Sequence, residues 1–83
     1  MALYYLTYDL RKQKDYQKLY DELKKFQAVK VLKSTWCFNR LYTTPLETLN
    51  YFKGFIDSDD GLSVEEVSNW ATFNTEGSPN DLK

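Results

Sequence analysis

The chain has 83 residues, a formal net charge of −1, one cysteine and no histidine, and 17% of its residues are aromatic. This length is typical of a single domain with a modest core, and one cysteine excludes a disulfide within the chain. The lack of histidine excludes Cys-His and Ser-His nucleophile pairs, so hydrolysis would need carboxylates or a metal ion. The lone cysteine, the polar residues within 1–12 and the lack of a long apolar run predict a cytoplasmic protein with no signal peptide and no membrane contact.

The first half of the chain predicts a strand, a helix and two further strands. Residues 3–9 form a short aromatic and apolar run that is typical of a buried central strand. Residues 15–27 repeat apolar side chains at spacings of three and four, which predicts an amphipathic helix with Asp15 as its N-cap. Residues 28–33 and 35–42 predict two strands joined by a tight connection.

The second helix has a clear start signal. Thr44 suits the N-cap, Pro45 suits the first helical position, and Glu47 completes a capping box. Apolar residues then recur on one face, so we predict a helix that runs to about residue 56. The acidic residues within 57–60 and the glycine that follows predict a turn.

The last part of the chain predicts one strand and an irregular end. Residues 62–67 alternate imperfectly between apolar and polar side chains, as a half-buried strand does. Residues 68–73 fit either a short extra strand or irregular chain, and both readings stay open. Residues 75–83 have the composition of a disordered tail, which leaves residues 1–74 as the folded domain.

The order β-α-β-β-α-β predicts an α+β domain, a ferredoxin-like sandwich with an antiparallel sheet and both helices on one face. The other face would be exposed unless a partner covers it. A domain this small usually gains stability from a partner subunit, and its many aromatic rings exceed what one small core is expected to hold. We therefore predict a homodimer, and residues 68–73 leave a fifth, C-terminal strand as a further option.

Charge is distributed unevenly along the chain. Residues 1–42 hold nine lysine and arginine residues against four acidic residues, whereas residues 43–83 hold two against eight. This asymmetry indicates either a nucleic-acid surface on the basic half or two charged faces that attract each other across a dimer. The second interpretation is favoured, because the chain is acidic overall.

Three segments together resemble a known family. They are Tyr5-Leu6-Thr7-Tyr8-Asp9, Ser34-Thr35-Trp36-Cys37-Phe38, and the acidic run from Asp57 to Asp60. In order and spacing they resemble the small CRISPR-associated protein Cas-two and its free-standing VapD-type or phage-encoded relatives. The resemblance implies a ferredoxin-like homodimer whose C-terminal strand pairs with the other subunit, which would place Trp70 and Phe73 at the dimer interface. It also implies either a scaffold role or a metal-dependent nuclease activity.

The same resemblance makes Asp9 the candidate catalytic residue and metal ligand, since the family's metal-binding aspartate ends the first strand. The alternative is that Asp9 only caps the strand or begins a turn. No cofactor is certain; magnesium or manganese is expected only if the protein is a nuclease. The candidate nucleic-acid contacts are Arg11, Lys12, Lys14, Ser34 and Arg40, with Lys18, Lys30 and Lys33 as further members of a basic patch near Asp9.

Two functional hypotheses follow. In the first, the protein is a homodimeric interaction or scaffold protein of phage or defence-system origin that binds an unknown protein partner without efficient catalysis. In the second, it is a metal-dependent endonuclease that acts on RNA or DNA with Asp9 at its site. The lack of histidine, the single carboxylate per subunit and the acidic balance favour the first hypothesis.

Overall fold

The computed structural model describes residues 2–12 and 14–83 as an α+β fold with two helices and a four-stranded antiparallel sheet, which confirms the predicted class. Single turns of 3₁₀ helix lie at Lys53–Phe55 and Pro79–Asp81. The main elements are β1 (Ala2–Asp9), α1 (Gln17–Lys25), β2 (Val29–Leu32), β3 (Thr35–Arg40), α2 (Pro45–Phe52) and β4 (Gly61–Val67).

The central strand β1 organises the sheet, whose order is β2-β3-β1-β4. Leu6 lies opposite Trp36 of β3 on one side and opposite Val64 of β4 on the other. Because side chains alternate along a strand, Tyr4, Leu6 and Tyr8 all point to the face that carries the helices, and all three are buried.

Aromatic rings supply much of the core between the sheet and the helices. The ring centroid of Phe26 lies 5.2 Å from that of Phe38 and 5.0 Å from that of Phe52. A single chain therefore holds most of the rings that suggested a partner, whereas Tyr42 and Phe73 remain 100% and 86% exposed. The core comprises Tyr4, Leu6, Tyr8, Leu19, Leu23, Trp36, Phe38 and Phe52.

The helix boundaries differ from their predicted positions for local reasons. Helix α1 begins at Gln17, because the Asp15 carboxylate accepts the Gln17 N–H (2.9 Å) from outside the helix instead of capping it. Thr44 does cap α2, since its hydroxyl accepts the Glu47 N–H at 3.1 Å. Helix α2 ends at Phe52, and a tighter 3₁₀ turn carries the chain to residue 55.

The C-terminal segment, residues 68–83, contacts the sheet within the stretch 75–83, for which we expected a disordered tail. The Glu76 N–H donates to the Val31 carbonyl at 2.8 Å, on the outer side of β2. Ser78 and Asp81 form a reciprocal capping box around the last 3₁₀ turn, which gives this polar run local order. Gly77 permits the close approach, because a Cβ there would lie 2.7 Å from Cγ1 of Val29.

No strand forms within residues 68–83 of the described chain, so the short extra strand is absent from a single copy. This segment leaves the sheet at β4, one edge, and returns at β2, the other edge. It thereby spans the sheet on the side away from the helices, where Cys37 is fully buried. Burial raises the pKa of the Cys37 thiol to about 11, so this thiol is protonated and unreactive at neutral pH.

Helix α1 ends in a Schellman motif that uses an unusual residue. The Ala28 N–H donates to the Leu23 carbonyl (3.0 Å) and the Gln27 N–H donates to the Lys24 carbonyl (2.9 Å). The motif needs a left-handed residue, and Gln27 adopts φ 57°. Glycine normally fills this position because a side chain is strained there.

We expect Gln27→Gly to raise the free energy of unfolding by about 0.5–1 kcal/mol, since relief of left-handed strain outweighs the added freedom of the unfolded chain. Urea denaturation followed by circular dichroism measures the change. Lys24→Gly, within the right-handed part of α1, is the matched control and should lower stability by about 1 kcal/mol. Equal losses in both variants would contradict the role assigned to Gln27.

Candidate functional site

Asp9 lies at the end of β1, opposite Gly61 of β4, with a side chain that is 71% exposed. Its carboxylate accepts a hydrogen bond from Nε of Arg11 at 3.1 Å. A surface ion pair of this kind is weak and can exchange with water or a ligand. The candidate catalytic residue is thus accessible, but its nearest charged partner is a cation of its own chain.

The basic residues that follow Asp9 are also paired, and their partners come from the loop before β4. Nζ of Lys12 lies 2.9 Å from Oδ2 of Asp59, and Nζ of Lys14 lies 2.9 Å from Oδ2 of Asp57. Nη1 of Arg11 donates to the Asp59 carbonyl at 2.8 Å. We call this set of contacts, which residues 9–12 and 14 make with one another and with residues 57–60, the charge clasp.

Asp60 is the centre of the charge clasp. Its carboxylate accepts hydrogen bonds from the Arg11 N–H (2.7 Å), the Asp57 N–H (2.8 Å) and the Tyr16 hydroxyl (3.0 Å). Desolvation alone would raise the pKa of Asp60, but these hydrogen bonds and the charge of Lys14 outweigh it and hold the pKa below its usual value. The ionised carboxylate therefore joins the two loops.

The charge clasp accounts for part of the uneven charge distribution along the sequence. We expected the basic and acidic halves to attract each other across a dimer or to expose a nucleic-acid surface. Arg11, Lys12 and Lys14 instead meet acidic residues of the same chain. Each of these three candidate nucleic-acid contacts therefore already has an acidic partner in a single copy.

Among residues 2–12 and 14–83 of one chain, the side chains around Asp9 do not form a divalent-cation site. Magnesium and manganese take several oxygen ligands, whereas the neighbours Asp57, Asp59 and Asp60 are occupied by lysine or by N–H donors. No group of three or more potential metal-ligating side chains occurs in the part of the chain that the structure describes.

The remaining two candidate contacts lie far from each other. Ser34 sits in the β2–β3 turn, and its carbonyl accepts the Tyr8 N–H at 3.0 Å, close to Asp9. Arg40 lies opposite Ala2, at the other end of β1, roughly 20 Å away for a strand of this length. Its guanidinium stacks on Phe26 at 3.8 Å, so Arg40 supports the core and does not join the basic patch near Asp9.

A cleft of about 630 Å³ lies beside Asp9, between α1 and the β2–β3 hairpin. We call it the lysine cleft, since Lys24, Lys30 and Lys33 line it. Sequence reasoning placed Lys30 and Lys33 in a basic patch but missed the contribution of α1. The full lining comprises Tyr8, Asp9, Leu10, Gln17, Tyr20, Lys24, Lys30, Lys33, Ser34 and Trp36.

The sequence does indicate which residues α1 contributes to the lysine cleft. Gln17, Tyr20 and Lys24 follow one another at spacings of three and four, which places them on one face of a helix. Burial raises the pKa of Tyr20, and its neighbour Tyr8 adds to this, whereas the Lys30 charge opposes it. Lys30 and Tyr20 both line the lysine cleft.

The two predicted dimer-interface residues differ in exposure. Phe73 is 86% exposed, whereas Trp70 is half-buried, and neither forms part of a strand in one copy.

Neither the protein-family models nor the solved structures give a match to this chain. Across residues 2–12 and 14–83, both helices are too short and too polar to span a bilayer.

We expect Asp60→Asn to lower the urea midpoint at pH 7, because the amide replaces a carboxylate that accepts three hydrogen bonds. A group whose folded pKa is depressed stabilises the fold above its ordinary pKa and loses that effect as the pH falls. The difference between wild type and variant should therefore be greatest above about pH 5 and shrink below about pH 4.

Asp59→Asn is the matched control for this measurement, since its carboxylate makes one exposed ion pair with Lys12. It should change the midpoint less than Asp60→Asn does at pH 7. Equal midpoints for the two variants, or a difference that does not depend on pH, would count against the central role of Asp60.

Proposed function

We propose that this protein is a homodimeric interaction or scaffold module of ferredoxin-like type, related to the Cas-two family, without efficient catalysis. The ferredoxin-like assignment is supported by the strand order β2-β3-β1-β4, the antiparallel pairing and the helix after each of β1 and β3. A phage or defence-system origin belongs to the same proposal.

The observation that carries the proposal is the difference between the two sheet edges. The outer side of β2 meets the C-terminal segment through the bond from Glu76 to Val31. In contrast, β4 pairs only with β1 among the described strands, and none of its seven residues is buried. An unpaired edge of this length is a template for strand addition by another chain.

The sequence that follows β4 supplies an apolar anchor for such pairing. Phe73 lies six residues beyond the last residue of β4 and is 86% exposed. Aromatic residues are enriched at the centres of interfaces, where they contribute much of the binding energy. A second copy of the chain is the occupant that we infer for this edge.

We expect sedimentation equilibrium of the wild-type chain to show a reversible dimer, and Phe73→Ser to raise its dissociation constant about tenfold or more. Because Phe73 is exposed, the substitution should leave the stability of the monomer nearly unchanged.

Glu65 and Glu66 lie on β4, so two paired copies bring acidic side chains together. The dissociation constant of the dimer should therefore fall as the salt concentration increases.

Tyr42→Ser is the matched control, since it removes a fully exposed ring at another corner of the molecule. It should leave the dissociation constant unchanged. A wild-type chain that is monomeric at all concentrations would refute the dimer, and a dimer weakened by Tyr42→Ser alone would refute its location.

The alternative function is a metal-dependent endonuclease with Asp9 at its site. One observation favours it: the exposed Asp9 carboxylate borders the lysine cleft, so an anionic substrate held there would lie next to it. Among the described residues of one copy, Asp9 is the only carboxylate that lines the lysine cleft, so a second copy would have to provide the other ligands.

We expect no cleavage of single-stranded RNA or duplex DNA above background in magnesium or manganese, for wild type and for Asp9→Ala alike. Gel analysis of labelled substrates measures this. Asp59→Ala controls for the loss of a nearby surface carboxylate. Cleavage that requires both the metal and Asp9, but not Asp59, would replace the scaffold proposal with the nuclease.

A further inference from the structure

We propose that the lysine cleft binds a nucleotide, that is, a small ligand with an aromatic base and more than one phosphate. The proposal goes beyond the dimer inferred above and does not depend on it. It rests on three properties of the lysine cleft: unpaired positive charge, an aromatic wall and a volume that suits a small molecule.

The positive charge comes from three separate elements. Lys24 belongs to α1, Lys30 to β2, and Lys33 to the β2–β3 turn. None of them forms an ion pair with a carboxylate among residues 2–12 and 14–83. The lining includes one carboxylate, Asp9, which Arg11 already contacts. Three lysine side chains that line one cleft with so little compensation attract a ligand that carries several negative charges.

The aromatic wall favours a ligand that also has a flat apolar part. Tyr20 is half-buried on α1, with its ring centroid 6.2 Å from that of Tyr8. Trp36 forms the floor, and its Nε1–H donates to the Tyr8 hydroxyl at 3.2 Å, which fixes both rings. Because Tyr8 and Trp36 are buried in the core, the half-buried ring of Tyr20 is the one on which a base can stack.

Polar groups at the rim complete the set of donors that phosphate oxygens require. Ser34 and Gln17 both line the lysine cleft; the Ser34 hydroxyl can donate a hydrogen bond, and the Gln17 amide has a second N–H besides the one that bonds Asp21. A volume of about 630 Å³ lies in the usual range for small-molecule sites and exceeds what inorganic phosphate would fill.

The surroundings disfavour a long polyanion. A nucleic-acid strand that continues past Asp9 reaches the charge clasp, where Arg11, Lys12 and Lys14 are already paired with acidic side chains. Arg40 is at the far end of the sheet. A strand would gain few further phosphate contacts there, and such contacts supply most of the affinity for nucleic acid. The lysine cleft therefore fits a single nucleotide better than a chain of them.

Calorimetric titration of the full-length protein with ATP tests the proposal. The lysine-cleft variant is Lys30→Gln with Lys33→Gln, and the control is Lys18→Gln with Lys53→Gln, which makes the same change in net charge outside the lysine cleft. We expect saturable binding of ATP to wild type and to the control within about twofold, and a loss of about tenfold or more in the lysine-cleft variant.

Competition experiments identify the part of the ligand that is recognised. Tripolyphosphate should compete with ATP, adenosine should compete weakly, and Tyr20→Leu should weaken ATP without affecting tripolyphosphate. Backbone amide signals of Lys33 and Ser34 should shift on titration with ATP, and unchanged circular dichroism in each variant confirms that it folds.

Four results would overturn the proposal: no saturation at millimolar ATP, equal losses in the lysine-cleft variant and the control, tighter binding of a short single-stranded oligonucleotide than of ATP, or equal displacement by polyglutamate. The third result would assign the lysine cleft to nucleic-acid strands, and the fourth would assign it to acidic polypeptides.

Discussion

The placement of β1 between β3 and β4 is the constraint on which the rest of the structure depends. Tyr4 and Tyr8 bury their rings beneath the helices and use their hydroxyls to reach backbone at opposite ends of the domain. The Tyr4 hydroxyl donates to the Thr43 carbonyl at 2.9 Å, and the Tyr8 hydroxyl donates to the Lys33 carbonyl at 3.2 Å. A single strand therefore fixes both the start of α2 and the turn that borders the lysine cleft.

The charge clasp complements this apolar arrangement at the end of β1. Its ion pairs are exposed and individually weak, but the Asp60 carboxylate joins two loops that are 44 or more residues apart in sequence. The charge clasp also separates the lysine residues that have an acidic partner in the same chain from those that do not. Lys12 and Lys14 are used within the fold, whereas Lys30 and Lys33 remain available to a ligand.

Local signals in the sequence predicted the elements well, because they depend on neighbouring residues. The aromatic run before Asp9 predicted β1, and Thr44 with Pro45 predicted the start of α2. The partners of charged side chains could not be predicted in this way. Nothing near Lys14 indicates that it meets Asp57, since that pairing exists only once β4 lies beside β1. The order within residues 75–83 likewise depends on contact with β2, and composition alone suggested disorder.

The same distinction explains how much of the candidate site was foreseen. Asp9 and Ser34 line the same cleft, because both sit at ends of neighbouring strands. Arg40 is at the other end, since β3 runs antiparallel to β1 and carries it away from Asp9. The contribution of Tyr20 and Lys24 depends on how α1 is rotated against the sheet, which the pattern of its buried face determines only approximately.

The burial of Cys37 gives the protein an internal reporter of local opening. This thiol lies on the sheet face that the C-terminal segment spans, and it is fully buried without any disulfide. A thiol reagent can reach it only when that segment detaches or when the whole domain unfolds. The rate of modification under native conditions therefore reports how often the thiol becomes accessible. If this rate exceeds the global unfolding rate, the segment detaches locally; if the two rates are equal, it detaches only when the whole domain unfolds.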